Sequence, residues 1–141
     1  MILISHRGNT HGPFPLIENN PEYVDTTILL GYNVEIDVWV IEGTFHLGHD
    51  KPQYGVSLDW LNERKDKLWI HCKNIEALVY LSVNDKLHLF YHTDGIALTT
   101  KGFLWTVPGL LIGSKSIAAM PELIENWNIK NAYGICTDYI K

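Results

Sequence analysis

Short strand-like segments alternate with helix-like segments through the first two thirds of the chain, and this order limits its fold more than any other feature. The strand-like segments cover residues 2–5, 33–40, 68–73 and 86–92. The helix-like segments between them cover residues 21–31, 57–67 and 74–84. Strands that are separated by helices usually run parallel, because each helix carries the chain back across the sheet. We therefore predict an α/β fold with a parallel sheet.

The last third of the chain has a different character. Residues 95–122 contain strand-like pieces separated by Gly, Pro and Lys, followed by a short helix-like segment at 121–128 and a final strand-like segment at 132–140. We count roughly six to eight strands but three or four helices, whereas a complete (β/α)₈ barrel usually needs about 250 residues. The sequence of 141 residues thus predicts one domain, residues 1–141, built as a reduced TIM-like (β/α) barrel that lacks several outer helices.

The overall composition excludes several classes of protein. The formal net charge is −5, which argues against a nucleic acid or an anionic membrane as the main partner. Cys72 and Cys136 show no spacing typical of a zinc site or a disulfide framework. No apolar run is long enough to span a membrane, and the first residues lack the features of a signal peptide. We therefore expect a soluble cytoplasmic protein.

Ionisable side chains lie on one face of three successive strands. Side chains alternate between faces along a strand, so Glu35 and Asp37 lie opposite the face of the apolar residues between them. The same alternation places His71 and Lys73 on the polar face of the next strand. In a helix-covered parallel sheet, ligands bind where the strands end, and His6 ends the first strand at the same edge. The pattern predicts a polar pocket at this edge.

Other interpretations of these residues remain open at the level of sequence. Glu35 and Asp37 also fit the solvent-facing side of an antiparallel strand, and His71 and Lys73 fit a solvated strand end. His11, His46 and His88 are more typical of surface or wall positions. If Glu35 and Asp37 do share a pocket, their charges are tolerated best around a cation.

Six short motifs, taken in order, resemble the glycerophosphodiester phosphodiesterase family of the phosphatidylinositol-phospholipase-C-like barrels. They are "SHRG", "ENN", "VEIDV", "LGHD", "LWIHCK" and "GICTDYI". The resemblance spans nearly the whole chain and is tight over residues 4–73 and 133–139. It implies a barrel fold and a phosphoric diester hydrolase.

The resemblance also implies roles for individual residues, in three groups. The acid–base pair is His6 and His49. The metal-binding carboxylates are Glu35 and Asp37, and the phosphate-binding cations are Arg7 and Lys73. Glu18 matches an acidic residue that the family uses at the metal or to orient the site. His92 ends the fourth strand-like segment and is a further candidate for the pocket.

One residue departs from the family pattern. His71 stands where the family usually has a third metal-binding carboxylate. An imidazole can bind a divalent cation, but it brings one negative charge less. The cofactor we expect is Mg²⁺ or Ca²⁺, and His71 favours Mn²⁺ or Zn²⁺ relative to a site made only of carboxylates.

The function that the sequence predicts is metal-dependent cleavage of a small glycerophosphodiester. A variant of this chemistry is a lyase of the sphingomyelinase D type, in which a substrate hydroxyl attacks and a cyclic phosphate forms. The alternative is a non-catalytic module that binds a phosphate ester on a degenerate barrel. A barrel that lacks helices exposes apolar surface, so we also expect a homodimer that covers the thin side.

Overall fold

The computed structural model describes residues 1–141 and contains ten β-strands, three α-helices and one 3₁₀ helix. The strands are β1 Ile2–His6, β2 Asn33–Ile41, β3 Thr44–Leu47, β4 Tyr54–Val56, β5 Leu68–Cys72, β6 Leu89–Phe90, β7 Ile96–Leu98, β8 Leu104–Thr106, β9 Ser116–Ala119 and β10 Gly134–Thr137. The helices are α1 Pro21–Leu29, α2 Leu58–Glu63 and α3 Ile75–Leu81, and the 3₁₀ helix is Pro121–Leu123. None of the helices has the length and apolar content that crossing a membrane requires.

All ten strands belong to one sheet that curls through about half a barrel. Its parallel part has the order β6-β5-β2-β1-β10-β9-β8, and β7 pairs antiparallel with β8. The hairpin β3–β4 extends the sheet beside the second half of β2. The α/β class with parallel strands and few helices is thus confirmed.

The three α-helices begin where the sequence indicates. Asn20, Ser57 and Asn74 each accept a hydrogen bond from a backbone N–H of the first turn, which satisfies one of the free donors of that turn. Gly31, with φ of +97°, follows the C-terminal cap of α1. The helices pack on one face of β2, β5 and β6 around a core that includes Val34, fully buried.

Two predictions for the later part of the chain were wrong. Residues 121–128 do not form a helix beyond the 3₁₀ turn, because Ile124 is extended and the Trp127 indole donates to the Leu110 carbonyl instead of packing along a helix. The strand predicted at 86–92 is reduced to β6, because Thr100 from a later loop takes the hydrogen bonds of Leu87 and Leu89. The main path of the sheet has eight strands, within the expected six to eight, and β5 and β6 lie off this path.

The crossovers on the later side of the sheet contain no α-helix. Residues 107–115 connect the parallel strands β8 and β9, and residues 120–133 connect β9 and β10. Parallel connections of this kind usually contain a helix. The bond from Trp127 to Leu110 joins the two crossovers to each other. Half of the sheet therefore has helices on its outer face, and the other half is covered by irregular chain.

Candidate functional site

The sheet register brings four ionisable side chains to one edge. His6 at the end of β1 lies beside Glu35 on β2, and Asp37 on β2 lies beside His71 on β5. The two residues of each pair are in register on adjacent parallel strands, so all four side chains project from the same face of the sheet. The predicted pocket at the carboxyl ends of the strands is therefore present as a cluster of side chains.

Glu35, Asp37 and His71 form a compact group whose candidate ligand atoms all lie within 4.8 Å of one another. His71 Nδ1 is 3.1 Å from Asp37 Oδ1 and 3.8 Å from Glu35 Oε2. Glu35 is 2% exposed and Asp37 is fully buried, yet Glu35 Oε1 and Asp37 Oδ1 have no hydrogen-bond partner. A buried polar atom without a partner costs about 1–3 kcal/mol. Two such carboxylate oxygens beside an imidazole fit a divalent cation.

The two carboxyl groups of this cluster titrate in opposite directions. Burial, together with the neighbouring Asp37 charge, holds the pKa of Glu35 well above its usual range, although Arg7 and Lys73 oppose the shift. Burial also acts to raise the pKa of Asp37, but the adjacent His49 and His71 rings and the charge of Arg7 bring it well below its usual range. Without a cation, the site therefore favours one charge on the pair over two.

Arg7 occupies a tight turn that directs its side chain over the strand ends. Its φ is +59°, and Gly8 follows with φ of +94°. A side chain at Gly8 would lie 2.7 Å from a ring carbon of Tyr23, so both the backbone angle and the packing require glycine there. A residue other than glycine at positive φ is strained, and such strain occurs most often at functional sites. The "HRG" motif is thus explained by local geometry.

The Arg7 guanidinium links three parts of the site. Nη1 donates to Glu18 Oε1 at 3.1 Å, Nε lies 3.1 Å from Asp37 Oδ2, and Nη2 is 2.6 Å from His49 Nδ1. Burial acts to lower the pKa of Arg7, but the charges of Asp37, Glu35 and Glu18 raise it above its ordinary value. The side chain therefore stays charged and connects the loop before α1 to the cluster of Glu35, Asp37 and His71.

Asn19, which the sequence interpretation did not single out, holds Asp37 in place. Its side-chain oxygen accepts from the Asp37 backbone N–H at 2.9 Å, and its Nδ2 donates to Asp37 Oδ2 at 2.9 Å. Asn19 has φ of +66° and is fully buried. Its place in "ENN", directly after Glu18, was the available signal.

Asp138 is the other residue of the candidate site that sequence reasoning missed. Its Oδ1 lies 2.8 Å from His6 Nδ1 and accepts a second hydrogen bond, at 2.8 Å, from Asn9 Nδ2. Burial acts to raise the pKa of Asp138, but the bonds from His6 and Asn9 lower it. Asp138 follows β10, which pairs with β1, so it reaches His6 from the opposite end of the chain. The motif "GICTDYI" contains this aspartate.

His49 is positioned by hydrogen bonds to the backbone of Gly48, the residue before it. The Gly48 N–H donates to the Asp37 carbonyl at 3.1 Å, and the Trp39 indole donates to the Gly48 carbonyl at 2.7 Å. A side chain at Gly48 would overlap the Lys51 carbonyl, so this close turn requires glycine. His49 Nδ1 lies 3.7 Å from Asp37 Oδ2. His6 and His49 therefore flank the carboxylate cluster.

The remaining candidates lie at the border of the site or outside it. Lys73 follows β5, and its charge acts on Glu35 and His92. His92 lines the same cavity as His6, with its ring centre 6.1 Å from that of His71. Three other histidines, namely His11, His46 and His88, do not reach the cluster.

Comparison of this chain with models of protein families, with curated proteins and with solved structures found no match.

Proposed function

We propose that this protein is a metal-dependent phosphodiesterase on a reduced TIM-like barrel, related to the glycerophosphodiester phosphodiesterases that its motifs resemble. The observation that carries the proposal is a pair of buried carboxylate oxygens that make no hydrogen bond and each face a histidine nitrogen. Glu35 Oε1 lies 4.0 Å from His6 Nε2, and Asp37 Oδ1 lies 3.1 Å from His71 Nδ1. A protein that only folded around this cluster would gain nothing from leaving both oxygens unpaired.

The divalent cation would be held by Glu35, Asp37 and His71. When bound, it would neutralise charge on the phosphoryl oxygens during cleavage. Two carboxylates and one imidazole favour Mn²⁺ or Zn²⁺ more than an all-carboxylate site does, although Mg²⁺ and Ca²⁺ remain candidates. Arg7 and Lys73 add positive charge at the same edge of the sheet.

His6 is suited to the role of general base. Asp138 has a lowered pKa and is ionised near neutral pH, so it accepts the hydrogen bond from His6 Nδ1. His6 Nε2 is then the free base, and it lies 4.0 Å from Glu35 Oε1. A base at this atom can take the proton of the attacking hydroxyl group, a contribution typically on the order of 10²–10⁴-fold.

His49 is the candidate general acid because its ring lies beside Asp37, with Nδ1 3.7 Å from Asp37 Oδ2. A guanidinium group is only a hydrogen-bond donor, so Arg7 Nη2, 2.6 Å from His49 Nδ1, can donate to the neutral ring only. The acid form is the imidazolium, in which both ring nitrogens carry a proton and Nδ1 would turn from Arg7 toward Asp37. Transfer of one proton from the imidazolium to the leaving oxygen of the ester leaves the neutral ring, which can again accept from Arg7.

As the base, His6 can take the proton of either of two attacking groups. Attack by water gives a monoester and an alcohol, and attack by a hydroxyl group of the substrate gives a cyclic phosphate. The two reactions differ in their first product, which phosphorus NMR distinguishes.

Hydrolysis of glycerophosphocholine and of bis-p-nitrophenyl phosphate by metal-stripped protein tests the proposal. Mg²⁺, Ca²⁺, Mn²⁺ and Zn²⁺ are added back in turn, and His6→Ala is measured beside the wild type. His46→Ala is the matched control, because His46 bonds only to Thr44 and lies outside the cluster. We expect turnover that depends on a metal, is lost in His6→Ala and is kept in His46→Ala.

Absence of turnover with every metal would contradict the proposal. If such a protein still bound phosphate esters, the alternative of a binding module on a degenerate barrel would replace it. His71 at a position where the family has a carboxylate is the feature that favours this alternative.

A further inference from the structure

Two cavities meet at the hydrogen bond between Arg7 and His49, and both residues line both cavities. The first, which we call the polar cavity, has a volume of about 340 Å³. The second, which we call the mixed cavity, has a volume of about 240 Å³ and contains His6, Glu35 and His71. A phosphodiester has two arms on one phosphorus atom, so a phosphoryl group at this boundary would extend one arm into each cavity.

The wall of the polar cavity consists of charged and polar residues and one proline. Besides Arg7 and His49 it is lined by Pro15, Glu18, Asp50, Lys51 and Gln53. Charges of both signs are present, so a strongly charged arm would meet repulsion from some of them. A neutral arm with several hydroxyl groups can donate to the carboxylates and accept from the cations. This wall suits a small polyol such as glycerol.

The mixed cavity has two unlike walls. Its ionisable side comes from β1, β2 and β5 and the residue after β1, together with His49 and His92 from two loops. The opposite side comes from β8, β9 and β10 and the residues just after them, and is formed by Trp105, Val107, Pro108, Ala119, Met120 and Cys136. Burial holds the pKa of the Cys136 thiol well above its usual range, so this group stays neutral and packs as a small apolar side chain. About 240 Å³ is below the roughly 300–1,000 Å³ of pockets for drug-sized ligands, so only a small group fits.

We infer that the substrate is an unsymmetrical phosphodiester, with a polyol arm in the polar cavity and a short apolar arm against the Trp105–Val107–Met120 wall. This inference rests on the proposed function and names its substrate class. Against the Val107, Pro108 and Met120 side chains, a hydroxyl group on the second arm would lose its water without gaining a partner there. An apolar arm would exclude water from that wall instead.

Three diesters test the inference. The first is glycerophosphoethanol, the second carries one added hydroxyl group on the ethyl arm, and the third is ethyl propyl phosphate, which lacks the hydroxyl groups of glycerol. We expect kcat/KM for the first to exceed that for the second by about 10- to 100-fold, since an apolar pocket rejects an added hydroxyl group to roughly this degree. We expect kcat/KM for the third diester to be lower than that for the first by about tenfold or more, because the polar groups of the polar cavity are left without hydroxyl groups to bind.

A matched pair of variants assigns the preference to the wall. Val107→Thr keeps the side-chain shape and adds a hydroxyl group in the mixed cavity, whereas Val79→Thr makes the same change on the exposed face of α3, where Val79 is 63% exposed. We expect Val107→Thr to narrow the preference for the ethyl arm over the hydroxylated arm and Val79→Thr to leave it unchanged. Equal preference in Val107→Thr and wild type would overturn the assignment to this wall.

Binding of the same diesters to His6→Ala, measured by calorimetry with metal present, separates this inference from the proposed function. Turnover without preference for the ethyl arm overturns the substrate inference and leaves the phosphodiesterase intact. No turnover, with tighter binding of glycerophosphoethanol, overturns the enzyme and supports the two-cavity ligand. Neither turnover nor preferential binding overturns both.

Discussion

The two halves of the curled sheet differ in what they place at its carboxyl edge. Strands β1, β2 and β5 carry the ionisable residues of the cluster, of which Glu35 and Asp37 are buried. Strands β8, β9 and β10 present Trp105, Ala119 and Cys136 to the same cavity. The first half has the cluster of ionisable side chains, and the second supplies an apolar wall and, just beyond β10, the carboxylate of Asp138 that contacts His6.

The difference follows the distribution of helices. Helices α1, α2 and α3 pack on the outer face of the first half, where Val34, Ile36 and Val38 are fully buried. A strand that is packed on its outer face has a fixed backbone and can hold a buried charge in one position. The second half is covered by irregular crossovers and carries no carboxylate cluster. The comparison teaches that the buried charges lie on the strands that the helices cover.

The largest effect that we expect separates the two histidines by leaving group. His49→Ala should lower turnover of a diester with an alkoxide leaving group by about 10⁴-fold and of a p-nitrophenyl diester by less than about tenfold, because p-nitrophenolate leaves without an acid. His6→Ala removes the base and should reduce both reactions to a similar degree. Steady-state kinetics on both substrates measures this, and an equal loss in His49→Ala would refute the assignment of acid and base.

Asp138→Asn tests whether the second half takes part in the chemistry. An amide can turn its NH₂ group toward His6 Nδ1 and so favour the wrong tautomer. We expect kcat to fall by about 10²-fold, the size of a positioning defect, with little change in KM. Thermal unfolding serves as the check on folding. A kcat close to that of the wild type would restrict catalysis to the first half.

Asn74→Ala probes how strongly the helices hold the first half. Asn74 caps α3 through the Ala77 N–H, and its side chain also bonds both the N–H and the carbonyl of Val40 on β2. We expect a loss of about 2 kcal/mol in the free energy of unfolding, from the cap and the strand contacts together. Asn20→Ala is the matched control, because Asn20 only caps α1, and it should cost about 1 kcal/mol. Equal losses in denaturant titrations would contradict a special role for the α3–β2 contact.

His88 lies where the two halves meet, between Trp69 of β5 and Phe103 next to β8. Its titration should give the smallest of the effects that we expect. Burial, with the nearby charge of Lys101, lowers the pKa of His88 from 6.5 to about 4. The unfolded chain therefore binds a proton more readily than the folded protein as pH falls from 6.5 to 4. The contribution of neutral His88 to the stability of the folded protein is present above pH 6.5 and is lost as the pH falls from 6.5 to 4. At pH 5 we expect a loss of about 1 to 2 kcal/mol relative to neutral pH, after allowance for solvent screening.

His88→Gln isolates this contribution. Glutamine can keep the bond to the Thr99 hydroxyl group, which now lies 2.8 Å from His88 Nε2, but it does not titrate. The stability difference between wild type and variant should thus change with pH over this window. A constant difference in urea titrations from pH 7 to pH 5 would show that His88 is not held neutral.

Sequence reasoning predicted the first half well and the second half poorly, for physical reasons. Strand β2 is long enough for its alternation to place Glu35 and Asp37 on one face, and the caps mark the helices. Strands of two to four residues, such as β6 and β8, are too short for periodicity to define their ends. Asp138 and His6 are 132 positions apart and meet only through the β1–β10 pairing. Local patterns do not contain such a contact.

The most direct test of the account is a titration of metal-stripped protein with Mn²⁺ by calorimetry, for wild type and for Glu35→Gln. Glu63→Gln is the matched control, because the Glu63 side chain is 71% exposed and outside the cluster. The account expects one binding site in the wild type, unchanged affinity in Glu63→Gln and a loss of at least about tenfold in Glu35→Gln, as expected when a ligand is removed. Equal Mn²⁺ affinity in all three proteins would show that Glu35, Asp37 and His71 are not a metal site.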